Sequence, residues 1–369
     1  MAWALKTKET AMAKSSTSTE KEKKKLRVAI IGAGGIAGTH TENYKKFEDV
    51  EVVGACDVSE TNLKKYGDKY GVTKLFGDWH TMLKEARPDA VSVCTPNGLH
   101  CQPTVDSLNA GCHVLVEKPL ALNAAEGQKM IDVAKKNKKH LVIGFQHRFE
   151  GRTRILKRAA DEGVFGKILF VRVQALRRRG IPNWGVFGRK ELQGGGPLID
   201  IGVHALEMAH FTIGSPEPVA ATGNCWTYMG DKPSDTFSLW PNWDHKTYTV
   251  EDLAIGHIRM KTGTIIHIES SFATHIEKDT FTFQIFGEKG GGTFEPCTIF
   301  TDQAGTMVNS TPAFVPKTEI FPYKMRHFVD VCLNDRKCEA PAEHGLMVQK
   351  MLDGIYASAA IGGKEVKID

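Results

Sequence analysis

Residues 26–40 read LRVAIIGAGGIAGTH. An almost unbroken apolar run enters a glycine-rich turn, and small residues follow it. Such a run reads as a strand buried on both faces. Gly32, Gly34 and Ala37 then give G-x-G-x-x-A, with Gly35 and Ile36 opening the next helix. In this pattern the first glycine permits a tight turn and the second lets a pyrophosphate approach the backbone. The small third residue packs the helix on the strand. The free N–H groups at the helix start favour phosphate charge. Asp57 directly follows the next apolar run, VEVVGAC, 23 positions after Gly34. An acid there bonds ribose hydroxyls and repels a 2′-phosphate, so the stretch predicts NAD in preference to NADP. A purely structural glycine turn is the other reading.

Working outward, similar runs recur as AVSVCTP (90–96), HVLVEKP (113–119) and HLVIGF (140–145), separated by amphipathic segments. Short apolar strands alternating with helices predict βαβ units and a parallel sheet. The expected fold class is therefore α/β, with a Rossmann domain over 26–147. From residue 148 to 369 the pattern changes to longer alternating segments. KILFVRVQAL (167–176) is one strand. DLAIGHIRMKTGTIIHIESSFA (252–273) reads as two strands about a Lys-Thr-Gly turn, and DTFTFQIFGEKGGGTFEP (279–296) as a hairpin. These predict a C-terminal α/β domain with an open, largely antiparallel or mixed sheet. The segment 344–360 reads as a helix with Met347, Met351, Ile355 and Ala359 on one stripe.

The chain has 369 residues and a formal charge of +5. Seven Lys and three Glu in residues 1–25 carry +4 of that, so the body is near neutral. A near-neutral body gives no argument for a nucleic-acid surface, and no nucleic-acid partner is expected. The first 25 residues read as a disordered, charged extension. No run approaches the roughly 18 apolar residues of a membrane span. Eight cysteines without any C-x-x-C pair suit free thiols in a reducing cytoplasm, and no metal is expected.

Several polar residues stand where an apolar pattern does not call for them. Thr95, Asn97 and His100 follow the third run, at the carboxyl edge where ligands of such sheets bind; a turn with a helix cap accounts for them equally well. Glu117 and Lys118 follow the fourth run and precede a proline. In GGGPLIDIGVHALEMA (194–209), a helix would place Asp200 and His204 one turn apart beside the stripe Leu198, Ile201, Ala205 and Met208. Buried polar groups need partners, so the pair marks either a satisfied core or a site.

GAGGIAGTH, the CD at 56–57, TPNGLH, EKP, GFQHRF and GGGPLIDIGVH, in this order and spacing, resemble the glucose–fructose oxidoreductase / inositol dehydrogenase / rhizopine-catabolism (Gfo/Idh/MocA) family. The resemblance runs from residue 26 to 369. It implies NAD(P)-dependent oxidation or reduction of a secondary hydroxyl or ketone in a sugar, cyclitol or glycoside. It also implies a homo-oligomer, dimer or tetramer, built on the second sheet. Lys118, Asp200 and His204 match the family's catalytic lysine and D-x-x-x-H pair, and the Lys118–Pro119 bond is expected to be cis. For the substrate side, Gln146 and the loop RRRGIPNWGVFGRK (177–190) are candidates; Arg177, Arg178, Asn183 and Trp184 are placed to line a pocket, with Arg178 and Trp184 foremost. That loop reads equally well as a basic interface. Trp240 and Trp243 fall in a segment that reads as a lid or interface. Two other functions share the fold: a redox glycosidase that retains its NAD, and a non-catalytic NAD-dependent sensor.

Overall fold

The structure, a computed structural model, describes residues 25–369; all but the last residue of the charged extension lies outside it. The first sheet comprises β1 (Leu26–Ile31), β2 (Val50–Cys56), β3 (Leu75–Phe76), β4 (Ala90–Val93), β5 (His113–Val116) and β6 (Leu141–Ile143). Its order is β3-β2-β1-β4-β5-β6, with every pair parallel. Strand order reverses between β1 and β4, and ligands of such sheets lie beyond the strand ends at that reversal. Five strands coincide with the apolar runs. β3, at two residues, is too short to leave a periodic signal. Gly32 ends β1 with φ +91°, and a Cβ there would lie 2.7 Å from the Cys94 carbonyl. Only glycine lets the turn press against the end of β4.

The second sheet holds β7 (Ile168–Leu176), β8 (Pro218–Trp226), β9 (Leu253–Met260), β10 (Ile265–Ser271), β11 (Thr280–Gly287), β12 (Gly290–Thr293), β13 (Thr298–Gln303), β14 (Thr306–Ser310) and β15 (Val366–Lys367). Its order is β14-β13-β12-β11-β7-β10-β9-β8-β15. β7 and β10 run parallel and the other neighbours antiparallel, so the sheet is mixed. One face buries Val171, Val173, Ile258, Ile266 and Ile268. Helices Val203–Thr212 and Ala342–Ala360 pack on this sheet. Strand alternation puts Phe170, Arg172, His257, Ile265 and Phe286 on the other face.

The long helix is broader in its contacts than its sequence stripe. Val348, Met351, Leu352 and Ile355 are buried, whereas Met347 and Ala359 are only half-buried. The reason is that this helix lies between two neighbours, β8 on one side and the helix Ala124–Asn137 on the other. The helix Ile320–Asn334 likewise packs on Gly35–Tyr44 and β1. The two sheets separate near residue 147, but the C-terminal helices cover the first one.

That covering layer carries a charge into the core. Lys324 is 1% exposed and pairs with Glu117, itself 6% exposed. His40 Nε2 lies 2.8 Å from the same carboxylate. Burial alone would raise the Glu117 carboxyl, but Lys324 and His40 hold it well below the usual range. Burial and the Lys324 charge push His40 down to about 4, so it is neutral. Removing one member of such a pair leaves an uncompensated charge, at a cost of about 3–5 kcal/mol. Lys324→Met is expected to lower unfolding stability by that amount in urea titration, and Glu117→Gln in the same chain to restore part of it.

Candidate active site

Lys118 follows the end of β5, and its bond to Pro119 is cis. Its Nζ crosses to the second sheet's helical layer. There it donates to the Asp200 backbone carbonyl at 2.9 Å and to Asp200 Oδ1 at 3.0 Å. Asp200 lies in a wide π-type turn, Leu198–Gly202, that precedes the α-helix Val203–Thr212. The continuous α-helix expected over 196–209 is therefore corrected at its start. The cause comes from β10: a Cβ on Gly202 would lie 2.9 Å from Ser270 Oγ, and that hydroxyl donates to the Pro197 carbonyl at 2.9 Å. Inserted turns of this kind recur at functional sites.

The three glycines before the turn serve close packing. A Cβ on Gly195 would overlap the Tyr356 hydroxyl, and one on Gly196 the Glu251 carbonyl. Glu251 occupies the space so created. Its carboxylate accepts from Gly196 N at 2.9 Å, Leu198 N at 3.3 Å and the Tyr356 hydroxyl at 2.8 Å. It thus satisfies N–H groups that a helix start leaves unpaired. Burial raises its carboxyl above the usual value.

His204 stands just inside the helix, with its Nδ1 buried and lacking a protein partner. Its ring meets His147 edge to face at 5.0 Å. Burial first, then the Lys118 and His147 charges, hold the imidazole well below its ordinary value. His204 is therefore neutral near pH 7 and able to accept a proton. A cavity of about 570 Å³ opens over these groups, with Asp200, His204, His147, Arg177, Trp184 and Phe187 in its wall.

The glycine turn suits a dinucleotide. A Cβ on Gly34 or Gly35 would meet nothing within 4 Å, so the space above both is open. The helix Gly35–Tyr44 has no side-chain cap and no acid in its first turn. Its first N–H groups, with Ile36 among them, are left for phosphate oxygens. Asp57 accepts from Ala33 N at 2.7 Å and Ser59 N at 2.8 Å. A carboxylate has about four acceptor positions, so two hydrogen bonds leave capacity for ribose hydroxyls.

The remaining sequence candidates divide. Thr95, Asn97 and His100 use their side chains inside the protein. Thr95 donates to Leu99 O at 3.0 Å and Asn97 to Gln193 O at 3.1 Å. His100 lies between Pro119 O at 2.8 Å and Thr95 O at 3.0 Å, which joins two strand-end loops. Glu117 is committed to Lys324. Gln146 is buried with its amide oxygen unpartnered. Trp184 lines the cavity, but Arg178 is exposed and donates to Glu277 O at 3.0 Å. Arg177 takes the cavity position instead, because neighbours on an extended chain point to opposite sides. His147 was not singled out by sequence, although it adjoins Gln146 in GFQHRF.

Among the described residues no His, Cys, Asp or Glu group is placed to hold a metal ion, and no helix is long and apolar enough to cross a membrane. Asp57→Ala is expected to weaken NAD binding and to narrow the preference for NAD over NADP. Titration of both cofactors into each protein checks this, and equal affinities in the unaltered chain would refute it.

Residues 26–145 match the family model described as the oxidoreductase family, NAD-binding Rossmann fold, and residues 153–292 match the GFO/IDH/MocA C-terminal domain. D-glucoside 3-dehydrogenase of Escherichia coli is 37% identical over 339 residues, covering 91% of this chain and 96% of that protein. Myo-inositol 2-dehydrogenase of Thermotoga maritima is 30% identical over 285 residues, covering 76% and 79%. The solved structure of levoglucosan dehydrogenase in complex with NADH shares the fold, with a TM-score of 0.80 at 22% identity over 94% of this chain and 100% of that one. The two domain matches, in the order that the two sheets follow, make this chain a member of the Gfo/Idh/MocA oxidoreductase family.

Proposed function

We propose that the protein is an NAD-dependent dehydrogenase that oxidises a secondary hydroxyl of a sugar, cyclitol or glycoside, or reduces the matching ketone. The observation that carries this reading is a cavity lined by Asp200 and a neutral His204, with the Lys118 ammonium held on that Asp200 at 3.0 Å. The curated relatives are named as glucoside and inositol dehydrogenases, which agrees with such a substrate.

Bound over the glycine turn, NAD supplies the hydride acceptor. Gly34, Gly35 and Ile36 would hold its phosphates and Asp57 its ribose. Lys118 directs its ammonium to the reacting oxygen and stabilises the charge that grows there as the proton leaves. His204 takes that proton, and returns it when the reaction runs backward. Asp200, 3.0 Å from Lys118 Nζ, fixes the ammonium before substrate arrives.

Lys118→Ala and His204→Asn are each expected to lower kcat by roughly 10²–10⁴-fold while NAD affinity changes little. Near-normal turnover in either variant removes that residue from the mechanism. The working form of His204 is the neutral one, and it is lost only when pH falls below the lowered value. Burial lowers that value most; the charges of Lys118, His147 and Lys324 lower it further, and that of Glu117 opposes them. The acid limb of kcat/KM is therefore expected well below pH 6.5, and a limb at or above that value counts against His204 as the base. A screen of free sugars, cyclitols, anhydrosugars and glycosides for released NADH separates a dehydrogenase from an enzyme that keeps its reduced cofactor.

The open face of the second sheet supports a homo-oligomer. Ile265 and Phe286 are 39% and 45% exposed there, with Phe170 and Phe286 rings 5.3 Å apart. Eight free thiols support a reducing, cytoplasmic setting. Light scattering is expected to give the mass of two or four chains, shifted toward one by Ile265→Glu.

A further inference from the structure

We infer that Arg177 and Asp279 together clasp one hydroxyl of the substrate, other than the reacting one, and so select which sugars the cavity accepts; this rests on the dehydrogenase reading above. Both residues lie in the cavity wall with Asp200 and His204. The proton and hydride steps assigned to Lys118, Asp200 and His204 leave both of them without a task.

The second sheet brings the two together. β7 and β11 are antiparallel, and their last paired residues at this end are Leu176 and Thr280. Continuing that register one step sets Arg177 opposite Asp279. Residues opposed in an antiparallel pair project to the same face, with Cβ atoms about 4.5–5.5 Å apart. Ala175 and Phe281, the pair two steps back, also line the cavity.

Opposite charges so placed would ordinarily meet as an ion pair. Here each is held by another partner. Asp279 Oδ1 accepts from Arg178 N at 2.7 Å. Arg177 donates from Nη1 to Gly180 O at 3.1 Å, and its guanidinium lies over Trp240 and Phe272, 5.0 and 5.6 Å from the ring centres. Burial works against the Arg177 charge, and Asp200 and Asp279 support it from nearby. Among the described residues neither carboxylate bonds the guanidinium directly. Most of its N–H groups, and Asp279 Oδ2, are therefore left for a ligand.

The gap between them suits a hydroxyl. A carboxylate only accepts and a guanidinium only donates, whereas a hydroxyl does both. It can give its proton to Asp279 and take a hydrogen bond from Arg177, and bonds to charged groups are the stronger kind. A substrate carboxylate would satisfy Arg177 but meet Asp279 and Asp200 as like charges. A hydrocarbon edge would strip both groups of water and leave them unpaired. Because Arg177 is fixed before the ligand arrives, little ordering is left to the binding step.

The test measures calorimetric binding of methyl α- and β-D-glucosides, their monodeoxy analogues and methyl glucuronide to the NADH-loaded protein. NADH formation from NAD is followed separately. Removing one hydroxyl, other than the reacting one, is expected to weaken binding about tenfold or more. In Asp279→Ala and in Arg177→Met that penalty is expected to shrink about threefold or more, while the penalty for each other hydroxyl stays as it was. Asp279 is exposed, so its variant tests the clasp even where Arg177→Met disturbs the fold. Equal losses for every ligand in the variants, penalties that do not change, or no binding by any glucoside overturns the clasp. Tighter binding of the glucuronide than of the glucoside also overturns it, since the guanidinium then serves a carboxylate. If one penalty shrinks as expected yet no glycoside yields NADH, the dehydrogenase reading fails while the clasp stands. NADH formation with unchanged penalties is the reverse.

Discussion

A single ammonium group joins the two halves of the site. Lys118 is fixed by the end of a strand in the first sheet, and its contacts, at 2.9 and 3.0 Å, are with a turn laid against the second. The strand end must present the lysine, and the turn must present both a carbonyl and a carboxylate to it. The reversal between β1 and β4 puts the glycine turn in the same first-sheet edge as β5, and the helix over the second sheet brings Asp200 across. A displacement of either layer by an ångström would break hydrogen bonds whose strength depends on distance near 3 Å.

The π-type turn that carries Asp200, and the helix with His204 that follows it, are held by buried neutral and charged partners. Tyr356 fills the space left by Gly195 and Glu251 that left by Gly196, and the Glu251 carboxylate accepts N–H groups of the opening turn. Ser270 fastens the carbonyl of Pro197 from β10. Burial drives His204 at the site, and His40 and His210 elsewhere in the core, toward their uncharged forms. Burial thus leaves His204 able to accept a proton at neutral pH, one turn along the chain from the carboxylate that holds Lys118.

Sequence made the first sheet legible because LRVAIIG, VEVVGAC, AVSVC and HVLV are apolar without interruption, and because GAGG fixes where the ligand edge lies. Lys118, Asp200 and His204 stood out as polar residues in apolar runs, but that pattern left a satisfied core equally open, and only the family resemblance proposed a catalytic role for them. β13 and β14 were not: Asp302, Gln303, Asn309 and Ser310 are exposed at a sheet edge, where no burial pattern is imposed. Whether Arg177 or Arg178 faced the cavity depended on the last residue of β7, and one step reverses the answer. The π-type turn packs against Ser270, some 70 residues away, and its N–H groups are accepted by Glu251, contacts that no local pattern encodes. Lys324 carried even less signal, since a lysine in IFPYKMRHF looks like an ordinary surface charge.

The distance along the chain between Glu117 and Lys324 also orders events during synthesis. The two are 207 residues apart. At the ribosome's pace of 5–20 residues per second, the carboxylate is made roughly 10–40 s before its partner. Until then an acid beside the future reactive lysine must stay hydrated, and the strand end it follows has no final packing. The cofactor half of the molecule is begun first and finished last, when the penultimate helix delivers its one buried positive charge.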